Sequence, residues 1–363
     1  MSTKIRNDVT VLSRMTAGNI PDYATYASPV VEAKTFATPS VYSRQNQSGA
    51  LGPDGKLYFV TFTASTGYSV LVVTPGANGP TMKEISLSVS WNGTSCVTAP
   101  NGLIYCIPFN STYVMTINPV TQKVNVSAIT GISGTAKYTS AVLHPNGKIY
   151  CIPYAATNVG IIDPSNNTID TTSITAPAGN KFSGAALAPD GKIYCTPYSV
   201  NYVGIIDVVA EDLDTTTITV NSGSDKYYGG TLAHNGKIYC PPRNATTVLI
   251  IDPVAGDSDE TSITGLTAGN DKYGDSVLAP DGKIYCCPLS EDDVLIIDPE
   301  IDAAEHSTIS GLSTDAYKYY FCQLAPDGKI YAAPYYGHSN VLVINPGLPK
   351  HPIAPLLSKY AQG

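Results

Sequence analysis

Apolar positions along the chain fall into short runs, and the runs recur in a fixed order. Around Gly282 the order is Tyr273–Leu278, the polar turn Pro280-Asp281-Gly282, then Lys283–Cys287, Val294–Ile297 and a weaker run at His306–Ile309. No run is long enough, or spaced near 3.6 residues, to form an amphipathic helix. The second and third runs are apolar at consecutive positions (Ile-Tyr-Cys, Val-Leu-Ile-Ile). Strict alternation would mark a strand with one face in water, so these strands are expected to be buried on both faces. In the turn, Pro fixes the first corner, Asp tolerates the second and Gly takes the left-handed position.

The turn glycines are Gly55, Gly102, Gly147, Gly191, Gly236, Gly282 and Gly328, spaced by 47, 45, 44, 45, 46 and 46 residues. Such a period signals an array of one supersecondary unit. A four-stranded antiparallel unit buried on both faces and repeated seven times predicts an all-β, seven-bladed β-propeller spanning residues 43–346. Gly to the first Val of the third strand is 12 residues in five repeats, 13 in the last and 15 in the first. Length variation therefore belongs to the loop between strands two and three. On the first strand, Gly49, Cys96, Ala141, Ala185, Gly230, Ser276 and Cys322 are all small, which suits innermost strands converging on an axis.

Two segments stand outside the repeat. Residues 1–42 read as an extended N-terminal arm, and 347–363 as a short C-terminal tail. The last repeat lacks a fourth strand, and residues 30–37 (Val30 to Ala37) are expected to supply it and close the ring. The tail is a poorer donor because of its prolines.

Composition narrows the chemistry. The 363-residue chain carries a net charge of −8, which argues against nucleic acid as a partner. No stretch reaches transmembrane length, and the N-terminus has no apolar core of a signal peptide, so no membrane insertion is expected. Among eight cysteines, Cys106, Cys151, Cys195, Cys240 and Cys286 share one repeat position. Neighbouring blades hold equivalent positions about 10 Å apart, too far for a disulfide. The thiols are expected to be free and buried, in a protein made in a reducing cytoplasm.

Candidate sites are few. Lys137, Lys181, Lys226, Lys272 and Lys318 each precede an aromatic at the entry to an innermost strand. They read either as a ring of cations at a channel mouth or as solvated repeat residues whose stems cover the neighbouring ring. The loops between strands two and three carry Phe109, Tyr113, Tyr154, Tyr198, Tyr202, Arg243, Tyr335, Tyr336 and His338, residue types suited to adaptable polar recognition. Asp163, Asp207, Asp252 and Asp298, with Asn118 and Asn345, end the third strands and read as turn formers. Glu291-Asp292-Asp293 reads as solvated loop charge. Five histidines form no metal or triad spacing, and no nucleophile elbow or phosphate loop is present. No catalytic, metal or cofactor residue is assigned, and no cofactor is expected.

From Gly147-Lys148-Ile149-Tyr150 to Val159-Gly160-Ile161-Ile162-Asp163 the chain resembles YVTN-type β-propeller repeats, with Cys after the Tyr as a departure. The resemblance covers residues 43–346. It implies a surface or interaction module, and less often a lactone-hydrolysing enzyme. The expectation is therefore a non-enzymatic structural or binding propeller, a virion component with a capsid-decoration, tail or receptor-binding role, as in a bacteriophage. Residues 1–28 would anchor it to other virion proteins, with a cell-surface receptor or glycan met through the loops. The alternatives are a lactonase-like hydrolase with its site at the channel mouth, and a cytosolic protein-interaction scaffold.

Overall fold

The computed structural model describes residues 31–40, 48–63 and 67–347. The expected anchoring segment, residues 1–28, and all but the first residue of the tail lie outside them. The described residues form seven four-stranded antiparallel sheets and no helix. In blades 1 to 6 the strands follow chain order from the axis outward. Blade 7 takes three strands from Tyr319–Leu324, Ile330–Pro334 and Asn340–Asn345, and its outer strand is Glu32–Ala37. That strand runs antiparallel to Asn340–Asn345, with Glu32 opposite Asn345 and Ala37 opposite Asn340.

Burial explains the unbroken apolar runs. The second strands read buried at every position in Ile104–Pro108, Ile149–Pro153, Ile193–Pro197, Ile284–Pro288 and Ile330–Pro334. Each sheet presents one face to the blade before it and the other to the blade after, so no face of these strands meets water. One interface joins Val142, Tyr150 and Ile152 of blade 3 to Phe182, Leu187 and Ile206 of blade 4. Another joins Tyr331, Ala333 and Val341 of blade 7 to Leu57, Phe59 and Leu71 of blade 1, completing the ring.

The hairpin turns do more than reverse the chain. The Asp or Asn before each turn glycine reaches the hydroxyl of the second-strand tyrosine four residues on. Examples are Tyr58 to Asp54 at 2.8 Å, Asn146 to Tyr150 at 2.9 Å and Tyr285 to Asp281 at 2.8 Å. A buried phenol thereby gains the polar partner it needs. Its burial otherwise carries the apolar body of the ring into the blade interface. At the strand-three ends, Asp207 and Asp252 accept from the backbone N–H groups two and three residues ahead, each at 3.0 Å, as turn formers do.

Candidate channel-mouth site

In blades 2 to 7 the second strand ends in proline or, in blade 5, is followed directly by Pro241-Pro242, and the residue after the proline lies at the end of the ring where the innermost strands begin. In blades 2 to 7 it is Phe109, Tyr154, Tyr198, Arg243, Leu289 and Tyr335. A backbone relay sets these positions. Lys137 N–H donates to Phe109 O (2.9 Å), and Tyr154 N–H donates to Lys137 O (2.8 Å). The pattern continues through Lys181, Tyr198, Lys226, Arg243, Lys272, Leu289 and Lys318 to Tyr335, each link between 2.6 and 3.1 Å.

The lysines are therefore the joints of this relay. Neither sequence reading of them describes what is seen. Lys137, Lys181, Lys226, Lys272 and Lys318 are 0–5% exposed, and their ammonium groups turn inward onto loop carbonyls. Lys181 Nζ donates to Ala156 O (2.8 Å) and Gly179 O (3.0 Å), and Lys226 Nζ to Val200 O (2.7 Å). Lys137, Lys272 and Lys318 do the same with Gly134, Gly269 and Asp315. Burial lowers the pKa of all five, that of Lys181 to about 8. They hold loops in place and present no ring of free cations.

On this frame the side chains make an arc. Ring centroids stand 5.7 Å apart for Phe109 and Tyr154, and 5.5 Å for Tyr154 and Tyr198. The Arg243 guanidinium lies 5.3 Å from the centroid of Tyr198 and donates to its hydroxyl at 2.6 Å. Its other nitrogens reach Asp271 at 2.5 Å, and Tyr317 donates to the second Asp271 oxygen at 2.9 Å. Tyr317 packs edge-on against Tyr335 and Tyr336, at 6.4 and 6.0 Å. Burial alone would lower the Arg243 pKa, but Tyr320, Tyr198 and Asp271 raise it above the ordinary value, so the guanidinium stays charged.

Tyr317 has φ = 60°, a left-handed conformation it shares with Ala136, Asp225 and Asp271, the residues before Lys137, Lys226 and Lys272. Its ring, 36% exposed, stands at the rim beside Tyr336 at 45%.

Below the arc, Tyr335 stacks on Tyr320 (5.2 Å), and Tyr320 meets Tyr228 (4.6 Å). Close approach is possible because Gly274 separates them in blade 6, where a Cβ would come within 2.5 Å of Tyr320 O. Asp275 follows on the same innermost strand, against Gly229 of blade 5. Burial pushes its carboxyl up to about 7, with the Ser276 N–H pulling the other way. Sequence reasoning misses Asp275. The available signal is that its repeat equivalents are Ser48, Ser95, Ser140, Gly184, Gly229 and Phe321, none of them ionisable near neutrality.

Other loop candidates stand apart from the arc. Tyr202 packs on Phe182 (6.1 Å), Tyr113 donates to Ser90 O (2.7 Å), and His338 lies beside Tyr319 (6.4 Å). Glu291, Asp292 and Asp293 bring ligand atoms within 4.8 Å of one another. Asp293, however, already accepts from Tyr273 (2.5 Å) and contacts His306 Nδ1 (3.0 Å).

These features define a seven-bladed β-propeller with a tyrosine-rich channel mouth. No protein-family model and no curated protein matches the chain. Among solved structures it is similar to a catalytically inactive variant of virginiamycin B lyase from Staphylococcus aureus, with 12% identity and a TM-score of 0.70 over 87% of this chain and 99% of that one. It is also similar to a candidate gluconolactonase, at 12% identity and a TM-score of 0.50 over 81% and 98%. The extracellular domain of a candidate hybrid two-component system from B. thetaiotaomicron gives 14% identity and a TM-score of 0.59, over 84% of this chain and 42% of that one. At these identities the likeness is one of fold. It corrects the expectation of a non-enzymatic propeller, because the fold is shared with a lyase and a candidate lactonase. None of these proteins supports a virion, tail or capsid role.

Proposed function

We propose that the channel mouth binds and chemically transforms a small, neutral, ring-bearing polar molecule, such as a sugar or sugar lactone. The observation that carries this reading is the continuous arc from Phe109 through Tyr154, Tyr198, Arg243, Asp271 and Tyr317 to Tyr335 and Tyr336. Ligand sites combine aromatic walls with a few convergent polar groups, and the arc supplies both. Arg243 and Asp271 neutralise one another, which suits a neutral ligand with paired hydroxyl or carbonyl groups better than an anion. Asp275 lies beneath, with a carboxyl pKa near 7. A carboxyl so placed can take or return a proton at neutral pH. The fold shared with a lyase and a candidate lactonase supports transformation as well as binding.

The test is ligand-observed NMR with a panel of monosaccharides, their lactones and charged analogues, on wild type and Arg243→Ala. The reading requires neutral rings to bind and Arg243→Ala to weaken them at least tenfold. Binding unchanged in Arg243→Ala, or a preference for charged analogues, would overturn it.

A further inference from the structure

We propose that Cys96 and Cys106 form a dithiol site that closes to a reversible disulfide with a small two-electron oxidant of the peroxide class. Sequence comparison between blades sets like cysteines too far apart to bond. It overlooks the position directly across one hairpin. Cys96, on the innermost strand of blade 2, stands opposite Cys106 on the second strand in antiparallel register. The same level pairs Ala141 with Cys151, Ala185 with Cys195, Ser276 with Cys286 and Cys322 with Ala332. In blade 2 both partners are thiols.

Opposed residues in an antiparallel pair have Cα atoms roughly 4.5–5.5 Å apart, inside the range a disulfide spans. The two sulfurs are already 2.7 Å apart, so little backbone movement is needed. Cys106 is fully buried, and burial together with Cys96 raises its pKa well above the ordinary thiol value. Cys96, 7% exposed, is the less buried of the two thiols, and the Ser48 hydroxyl lies 3.2 Å from its sulfur. The oxidant must be small, because Cys106 is 0% exposed and Cys96 only 7%.

The step balances with hydrogen peroxide. The Cys96 sulfur attacks one peroxide oxygen, forming S–O as O–O breaks, and the departing hydroxide takes the thiol proton as water. The Cys106 sulfur then displaces the hydroxyl of the Cys96 sulfenic acid, forming S–S as S–O breaks. That hydroxyl leaves with the Cys106 proton as a second water. Two thiols lose two electrons and one peroxide becomes two waters.

The experiment treats the full chain with graded hydrogen peroxide, then alkylates in denaturant and measures intact mass. Chymotrypsin, which cuts after Leu103 and Tyr105, separates the two cysteines for a non-reducing peptide map. Alkylatable thiols should fall from eight to six, return with dithiothreitol, and be accounted for by a Cys96–Cys106 linked peptide. Cys96→Ala and Cys106→Ala should keep all seven remaining thiols. Both changes copy residues found at those levels in other blades, Ala141 and Ala332, so both variants are expected to fold, which circular dichroism checks. Cys151→Ala should still lose two thiols. Full alkylation at every dose, a link confined to another pair such as Cys287 with Cys322, or thiol loss persisting in Cys96→Ala would each overturn the assignment.

Discussion

Replacing Asp275 by Asn should stabilise the protein, and only above acid pH. The carboxyl moves from 3.8 in the unfolded chain to about 7 in the folded one. At about 1.36 kcal/mol per unit, that shift of roughly three units sets a ceiling near 4 kcal/mol. Part of the side chain is open to solvent, so a value of about 1–3 kcal/mol is expected. The sign follows from proton counts. Between pH 3.8 and 7 the folded state holds a proton that the unfolded chain has released, so stability falls across that window as pH rises. Asn removes the penalty. The groups facing Asp275 do not confuse the comparison. Tyr228, Tyr320, Cys286, Cys287 and Cys322 all have pKa values raised by burial, and Arg243 stays charged. Urea denaturation of both proteins at pH 4, 6 and 8, at constant ionic strength, gives the difference directly. A gap near zero at pH 4 that opens by pH 8 is the expected result. A pH-independent gap, or an Asn variant less stable at pH 8, would refute the argument that burial of this carboxylate is a cost the Ser276 N–H only partly offsets.

Three further outcomes are expected. Lys181→Met keeps the stem but leaves the Ala156 and Gly179 carbonyls without their donor, and should lower stability by about 1–3 kcal/mol in urea titration at pH 7. Gly274→Ala drives a Cβ into the Tyr320 backbone, and should cost about 1–3 kcal/mol and alter the near-ultraviolet circular dichroism of the tyrosines. A chain beginning at residue 38 lacks the outer strand of blade 7, and should lose cooperative unfolding or aggregate through the exposed edge of Asn340–Asn345, read by calorimetry and light scattering.

The ring was legible because seven turns of Pro-Asp-Gly type and unbroken apolar second strands leave few other architectures open. The closing strand was legible too, since a three-stranded last repeat needs a partner and residues 30–37 carry the one strand pattern of the arm; the strand observed is Glu32–Ala37. The lysines were visible as a period but not in their role. A lysine in a polar loop is expected to meet solvent, and only the closed loops supply the carbonyls that bury it. Half of the arc could be read from residues after the strand-two prolines. Asp271 and Tyr317 could not, because they come from the loops between blades and reach Arg243 and Tyr335 through backbone shapes that no periodicity encodes. Asp275 offered only its oddity among small and apolar equivalents.

The outer strand of blade 7 has a consequence for synthesis. Glu32 is made more than three hundred residues before its partner Asn345. At about 5–20 residues per second, the ribosome holds that segment unpaired for roughly 15–60 s. During that wait six blades can assemble outside the exit tunnel while the ring stays open at both ends. The strand is only six residues long and carries the charges of Glu32 and Lys34, both features that blunt an unpaired edge against another chain. Quality of assembly in this protein is thus a question of timing on the polysome as much as of final stability.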